Sequence, residues 1–352
     1  MKKLKVLSGH FTIILGVLLI ASFAMAHNRA VVIPLGGAKK LFASDGSDGD
    51  LTISSYTDWN STPPTGIYFD NVTIDAGVDF YVPAGTTIRC SGAFTNNGTI
   101  TVLGGAEAEG AFSGLSASSG PAMGMTSVAH PGDTRGAATL GNSNNNHTAN
   151  PVSLGGGTPG KAIPQAIAMS SFSNFKIGGG SGAGYDNQGN AGGGLLKVYC
   201  NGTIENNGTI NAIGENGNNQ SIAGGGGGIV ILASRTVIDN STGIIDVSGG
   251  DGGTAGSFGG NGGGGGGGII ILASPTVPIL GTETVSAGTG GDNISENTVT
   301  VGFRTAGAGG GGSGGRGGHG GYVNSLGTPS SGGTGIDGYV ITLNKDPSML
   351  ID

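Results

Sequence analysis

Two stretches of this chain, 110 positions apart, can be laid on one another without a gap. Ile88–Gly105 reads IRCSGAFTNNGTITVLGG and Val198–Gly214 reads VYCNGTIENNGTINAIG. Cys90 falls on Cys200, Phe94 on Ile204, Asn96-Asn97 on Asn206-Asn207 and Ile100 on Ile210. A third copy starts at Ile231 (ILASRTVIDNSTGIIDVSGG), with two residues inserted before Gly243, and a weaker fourth at Ile271 (ILASPTVPILGTETVSAG). Gly338–Leu343 (GYVITL) repeats the opening of a copy and is placed to close the series. Each copy is a short strand, a turn rich in Asn, Ser and Gly, and a second short strand. Neither strand can bury an apolar face alone, so the copies must stack, with rungs about 4.8 Å apart. The pattern predicts an all-β chain, a parallel β-solenoid wound as a right-handed β-helix by the crossover rule.

Between the copies run long glycine tracts: 104–194, 214–228, 249–268 and 288–335. Glycine accounts for 78 of 352 residues, about three times ordinary usage. All the tracts leave the repeat at the same point, so glycine-rich loops pile up at one corner of the stack. Two readings stay open. The tracts form extended three-fold helices packed without intervening Cβ atoms, or they remain flexible, because glycine loses the most backbone entropy on ordering.

Alternation places Ile88 and Cys90, Val198 and Cys200, and Ile231 and Ala233 on the inner face. Val230, Leu232, Ile270 and Leu272 then fall on the outer face, which predicts a cover over that sheet, with the glycine tracts as the nearest candidate. Residues 1–26 read as a signal peptide: Lys2, Lys3 and Lys5, then an apolar Phe11–Phe23, then Ala24-Met25-Ala26. Residues 27–69 read as linker and N-terminal cap, 70–343 as solenoid with an insertion at 106–190, and 344–352 as a tail. One short helix is expected within 161–177. These features predict an exported protein, extracellular or on the cell surface, with the periplasm as the alternative, and no integral membrane segment after cleavage.

The chemistry-bearing residues are sparse. A net charge of −7 with scattered Lys and Arg supplies no footprint for nucleic acid. No two histidines lie at metal-ligand spacing, and the one G-x-S-x-G, around Ser313, sits in a glycine tract and not at a strand-to-helix elbow. Glu205, Asp239 and Asp246 are the candidates for paired acid–base work on a polysaccharide; solvated turn acids are the plain alternative. Asp45, Asp48 and Asp50 (DGSDGD) offer calcium carboxylates without a matching loop pattern, so no cofactor is expected beyond that option. Cys90 and Cys200 occupy equivalent positions on successive rungs, which suits either a disulfide or a stacked pair of buried thiols continued by Ala233 and Ala273. Arg316, His319 and Tyr322 are the least glycine-like residues of the last tract and form a candidate binding loop.

The NNGTI motifs and the units GGGGGIVILA and GGGGGGGIIILA resemble glycine-rich β-solenoid surface proteins and adhesin-like passenger domains of bacteria; the tracts also resemble those of tail-fibre adhesins with stacked glycine helices. The resemblance covers about 70–343 and implies a non-enzymatic, loop-presenting role in surface attachment or matrix assembly, with glycans or other surface polymers as partners. It departs from the autotransporter pattern in lacking a terminal membrane barrel, and a cell-wall sorting signal is also missing. The second reading is a polysaccharide-active β-helix enzyme. A third, ice or surface binding by threonine columns, fails where Thr99 and Thr209 meet Ile244.

Overall fold

A computed structural model describes residues 42–64, 67–104, 143–144, 157–171, 175, 178–183, 190–217, 222–254, 260–292, 304–305, 307, 309–322 and 330–350. The expected signal peptide lies outside these residues. The strands are β1 (Leu51–Ile53), β2 (Thr57–Asp58), β3 (Tyr68–Phe69), β4 (Val72–Ile74), β5 (Asp79–Val82), β6 (Thr86–Cys90), β7 (Phe94–Asn96), β8 (Thr99–Val102) and β9 (Ser143–Asn144). After helix α1 (Gln165–Ser171) come β10 (Leu195–Cys200), β11 (Ile204–Asn206), β12 (Thr209–Asn211), β13 (Ile229–Ser234), β14 (Ile238–Asp239), β15 (Ile244–Asp246), β16 (Ile269–Ser274), β17 (Thr282–Thr284), β18 (Arg304–Thr305) and β19 (Tyr339–Asn344).

Three parallel sheets result: β1-β4-β7-β11-β14, β3-β6-β10-β13-β16-β19 and β2-β5-β8-β12-β15-β17. The chain visits the sheets in turn, one strand in each per rung, which is a parallel β-solenoid. The repeat register holds across it. Cys200 pairs with Cys90, Ile204 with Phe94, Asn206 with Asn96 and Ile210 with Ile100, and β19 closes its sheet against β16. The stretch expected as a cap supplies β1 and β2, and Trp59 covers the first core residues, edge-on to Phe80 at 4.6 Å. Inside, Ile74, Phe80, Phe94, Ile100, Val198, Ile204 and Ile210 are fully buried. Asn96, Asn206 and Asn240 stack as a buried ladder at one turn: Asn96 Nδ2 donates to Asn206 Oδ1 (2.7 Å), and Asn206 Nδ2 to Asn240 Oδ1 (2.6 Å). Asn240 Nδ2 then donates to Glu283 Oε1 (2.8 Å). Each amide satisfies the next, as a buried polar group requires.

The faces of β13 and β16 are the reverse of those expected. Val198 pairs with Leu232, and Cys200 with Ser234. Val230, Leu232, Ile270 and Leu272 therefore join the inner core, while Ile229, Ile231, Ala233, Ile269, Ile271 and Ala273 face outward. A slip of one residue turns every side chain over, and the uniformly apolar IVILA and IIILA carry no alternation to fix the phase. Ser234, not Ala233, continues the cysteine column, its Oγ donating to Gly202 O at 2.8 Å. The third copy accordingly carries one extra residue before Gly243 rather than two: Asn206 pairs at an offset of 34 with Asn240, and Thr209 at 35 with Ile244. The outward face is covered, as its apolarity demands, though chiefly by the insertion: Ile163, Ala168 of α1 and Phe175, with Phe42 and Ala43.

Among the described residues, stretches of the glycine tracts form extended helices hydrogen-bonded to one another. In 222–228, Gly224 N donates to Gly263 O, Gly225 N to Glu215 O, Gly226 N to Gly180 O, Gly227 N to Gly266 O and Gly228 N to Ala212 O, all at 2.7–2.9 Å. The same neighbour returns every third residue, the signature of a three-fold extended helix. Residues 260–268 behave likewise. Gly262, Gly265 and Gly268 donate to 247–253, Gly264 and Gly267 to 330–338, and Gly266 to Gly311. Their carbonyls accept from 222–228, 285–291 and 315–321. Six neighbours surround this helix, donors alternating with acceptors around the ring. The helices 212–217, 247–253 and 285–291 run on from β12, β15 and β17, and 222–228, 260–268 and 330–338 run back into β13, β16 and β19. The sheet registers thus become the lattice registers: Gly214 N reaches Ser248 O, and Gly249 N reaches Ser286 O.

Close approach makes glycine mandatory at the centre of this lattice. A methyl on Gly265 would fall within the carbonyl oxygen of Gly225. Helices with one open side accommodate a side chain at every third position, as at Ser248, Asp251 and Thr254, or Ser286, Thr289 and Asp292, all exposed or half-buried.

Two outcomes follow. Gly265→Ala lowers unfolding free energy by about 3 kcal/mol, since backbone cannot yield to the added methyl, whereas Ser286→Ala changes it by less than about 0.5 kcal/mol; urea denaturation reads both. Burial pushes the Tyr199 phenol up to about 12 from 10, with Arg89 pulling it partly back. Above pH 10 the unfolded chain sheds this proton and the folded chain keeps it. Stability therefore falls between pH 10 and pH 12, by about 2–3 kcal/mol in total from this group, measurable in pH-dependent denaturation.

Candidate functional site

The three residues expected as a binding loop lie on a glycine helix at the lattice margin. In 315–322, Gly315, Gly318 and Gly321 donate to 260–268, and Gly317 and Gly320 donate to Gly160 and Gly157. The carbonyls of Arg316, His319 and Tyr322 accept from Ile336, Gly333 and Ser330. Positions 316, 319 and 322 are exposed, and the glycines between them are buried. The three-fold rise sets these side chains in one row, about 9 Å from one to the next. The His319 ring lies against Gly333, where a methyl would meet its Cδ2 at 2.8 Å.

Across the lattice, the outbound helices present a different surface. Asn216 Oδ1 accepts from Asp251 N (2.7 Å), and Asp251 Oδ1 accepts from both the N–H and the hydroxyl of Thr289 (2.7 and 2.8 Å). Asp337 Oδ1 takes the N–H of Ala287 at 2.9 Å. These side chains satisfy backbone donors that the lattice directs outward, so their first task is structural. Glu215, Asp251 and Asp292 make this side acidic.

The carboxylate candidates are brought together in part. Glu205 and Asp239 pair directly across β11 and β14, while Asp246 lies in another sheet, beside Asn211. The Asp239 carboxyl is held below the usual carboxylate range by the backbone N–H and hydroxyl of Ser241. A general acid must keep its proton near neutrality, which requires the opposite shift. Asp45, Asp48 and Asp50 do not converge. Their carboxylates accept separately from Ser47 N, Tyr68 N and the backbone and side-chain amides of Asn71. Among the described residues, no group of three His, Cys, Asp or Glu is placed to hold a metal ion.

Cys90 and Cys200 are register partners, fully buried and present as free thiols. Burial pushes the Cys200 thiol far up, and its contact with the Cys90 sulfur adds to this. Both sulfurs are shut off from solvent, and the raised Cys200 thiol keeps its proton, whereas the thiolate is the reactive form.

The residues that sequence reading passed over are those defined by the three-residue phase. Lys161 is one, exposed beside Gly160, whose carbonyl accepts from Gly317 N. The signal was visible in R-G-G-H-G-G-Y at 316–322 and S-G-G-D-G-G-T at 248–254. The fold thus defines a parallel β-solenoid joined to a lattice of glycine helices. Compared with known families, curated proteins and solved structures, the chain matches none. No helix among the described residues is long and apolar enough to cross a membrane.

A thiol reagent at pH 8 will leave the folded protein unlabelled and modify two residues once it is unfolded without reductant. Two labels appearing only after reduction would mean that Cys90 and Cys200 are bonded.

Proposed function

We propose that this chain is an exported, non-enzymatic display protein for surface attachment or matrix assembly. The carrying observation is the pair of glycine helices, 222–228 and 260–268, enclosed on all six sides by other backbones. The helices 212–217 and 247–253 run away from the sheets, and 222–228 and 260–268 run back beside them, hydrogen-bonded through Gly225 N to Glu215 O and Gly265 N to Gly250 O. A lattice of this kind holds the exposed side chains of its margin, such as those at 316, 319 and 322, at fixed spacing, and rigid positioning limits the entropy lost when a partner binds. The signal-like N-terminus supports export, and surface glycans are the partners that fit an acidic exported chain with side-chain-bearing edges.

The test is a glycan array probed with the chain from His27 onward, beside a variant whose 323–329 is replaced by a Gly-Ser linker. Binding by the parent and loss in the variant, at unchanged thermal unfolding, supports display. Release of reducing ends from a polysaccharide, abolished by Glu205→Gln or Asp239→Asn, would replace it with the enzymatic reading.

A further inference from the structure

On an acidic chain, the placement of basic side chains is informative. Among the described residues the glycine helices carry two, Lys161 and Arg316. They are borne on hydrogen-bonded neighbours at the same level: Gly317 N donates to Gly160 O at 3.1 Å, and Gly320 N to Gly157 O at 3.0 Å. Both are exposed, and neither has an ion-pair partner among the described residues. His319 and Tyr322 continue the row from Arg316, Tyr322 with 56% of its surface open. The acids of the lattice sit elsewhere. Glu215, Asp251 and Asp292 are on the outbound helices, and Asp337, on the flanking 330–338, is engaged with Ala287 N.

We propose that Lys161, Arg316, His319 and Tyr322 form a docking strip for an acidic polysaccharide. The inference rests on the display reading and names the class of polymer. Lys161 and Arg316, borne on hydrogen-bonded neighbours, offer a carboxylate or sulfate two cations, the guanidinium a planar fork and the ammonium a point charge. Tyr322, about 18 Å further along by the three-fold rise, gives a sugar ring an amphipathic face. The spacing is set by backbone hydrogen bonds and does not depend on side-chain packing. An extended polymer with regularly spaced anionic groups suits such a row, and the acidic opposite face directs the polymer to this side.

The experiment measures binding of the full mature chain to immobilised polygalacturonate, dextran sulfate, neutral dextran and a DNA duplex. Binding is expected to the first two polymers, to fall with added salt, and to be absent on neutral dextran. Lys161→Gln and Arg316→Gln each weaken it about threefold to fivefold, and together about tenfold or more. Asp251→Asn, on the far face, leaves it unchanged. The strip is overturned if the double variant, with unaltered thermal unfolding, binds as the parent does. It is also overturned if DNA binds as well as the acidic glycans. Neutral-glycan binding that survives the double variant but not replacement of 323–329 removes the strip and keeps the display reading. Absence of any glycan binding removes both.

Discussion

A backbone N–H taken out of water must find an acceptor, and for the buried glycines of 222–228 and 260–268 that acceptor belongs to another helix. No helix of this kind is stable by itself, since a three-fold extended chain has no internal hydrogen bonds. Ordering glycine also costs more backbone entropy than ordering any other residue. The lattice therefore needs a template, and the solenoid supplies it. The helices 212–217, 222–228, 247–253, 260–268, 285–291 and 330–338 each begin or end in a strand already held in register, so 222–228 and 260–268 enter at the spacing fixed by β13 and β16. The same requirement explains composition. Where six backbones converge no Cβ fits, and where one side is open every third residue carries a side chain.

The solenoid was largely legible in the sequence because its signals are discrete. Cys, Asn-Asn-Gly-Thr and Ile recur at one offset in two copies, with Ile204 standing where the first has Phe94, and only one superposition satisfies all of them. Phase was lost where the signal degenerated. In Ile229–Ser234 and Ile269–Ser274 every residue can be buried, so alternation could not separate the inner face from the outer, and the alanines were matched to the cysteines in place of Ser234. The decisive contact was a hydroxyl reaching the carbonyl of Gly202, which hydropathy does not reveal. The cover over the outer face was predictable as a need, but its source in Ile163, α1 and Phe175 was not, because the insertion has no repeat to align.

The candidate site was legible only as composition. Arg316, His319 and Tyr322 stood out against glycine and read as a loop; a three-residue phase would have placed them on one edge of a helix. That phase exposes Lys161 as well, because its helix joins theirs through Gly160 and Gly317. The paired acids Glu205 and Asp239 were located correctly as neighbours, yet proximity does not set acidity. Ser241 donates to Asp239 and holds it ionised, a local effect that the alignment of rungs could not show.

Amide hydrogen exchange followed by mass spectrometry tests the lattice most directly. If backbone bonds between glycine helices organise the molecule, peptides spanning 222–228 and 260–268 will exchange as slowly as those spanning β13 and β16. Exchange there within seconds, while the strands remain protected, would mean that the solenoid stands without an ordered lattice and would contradict the account.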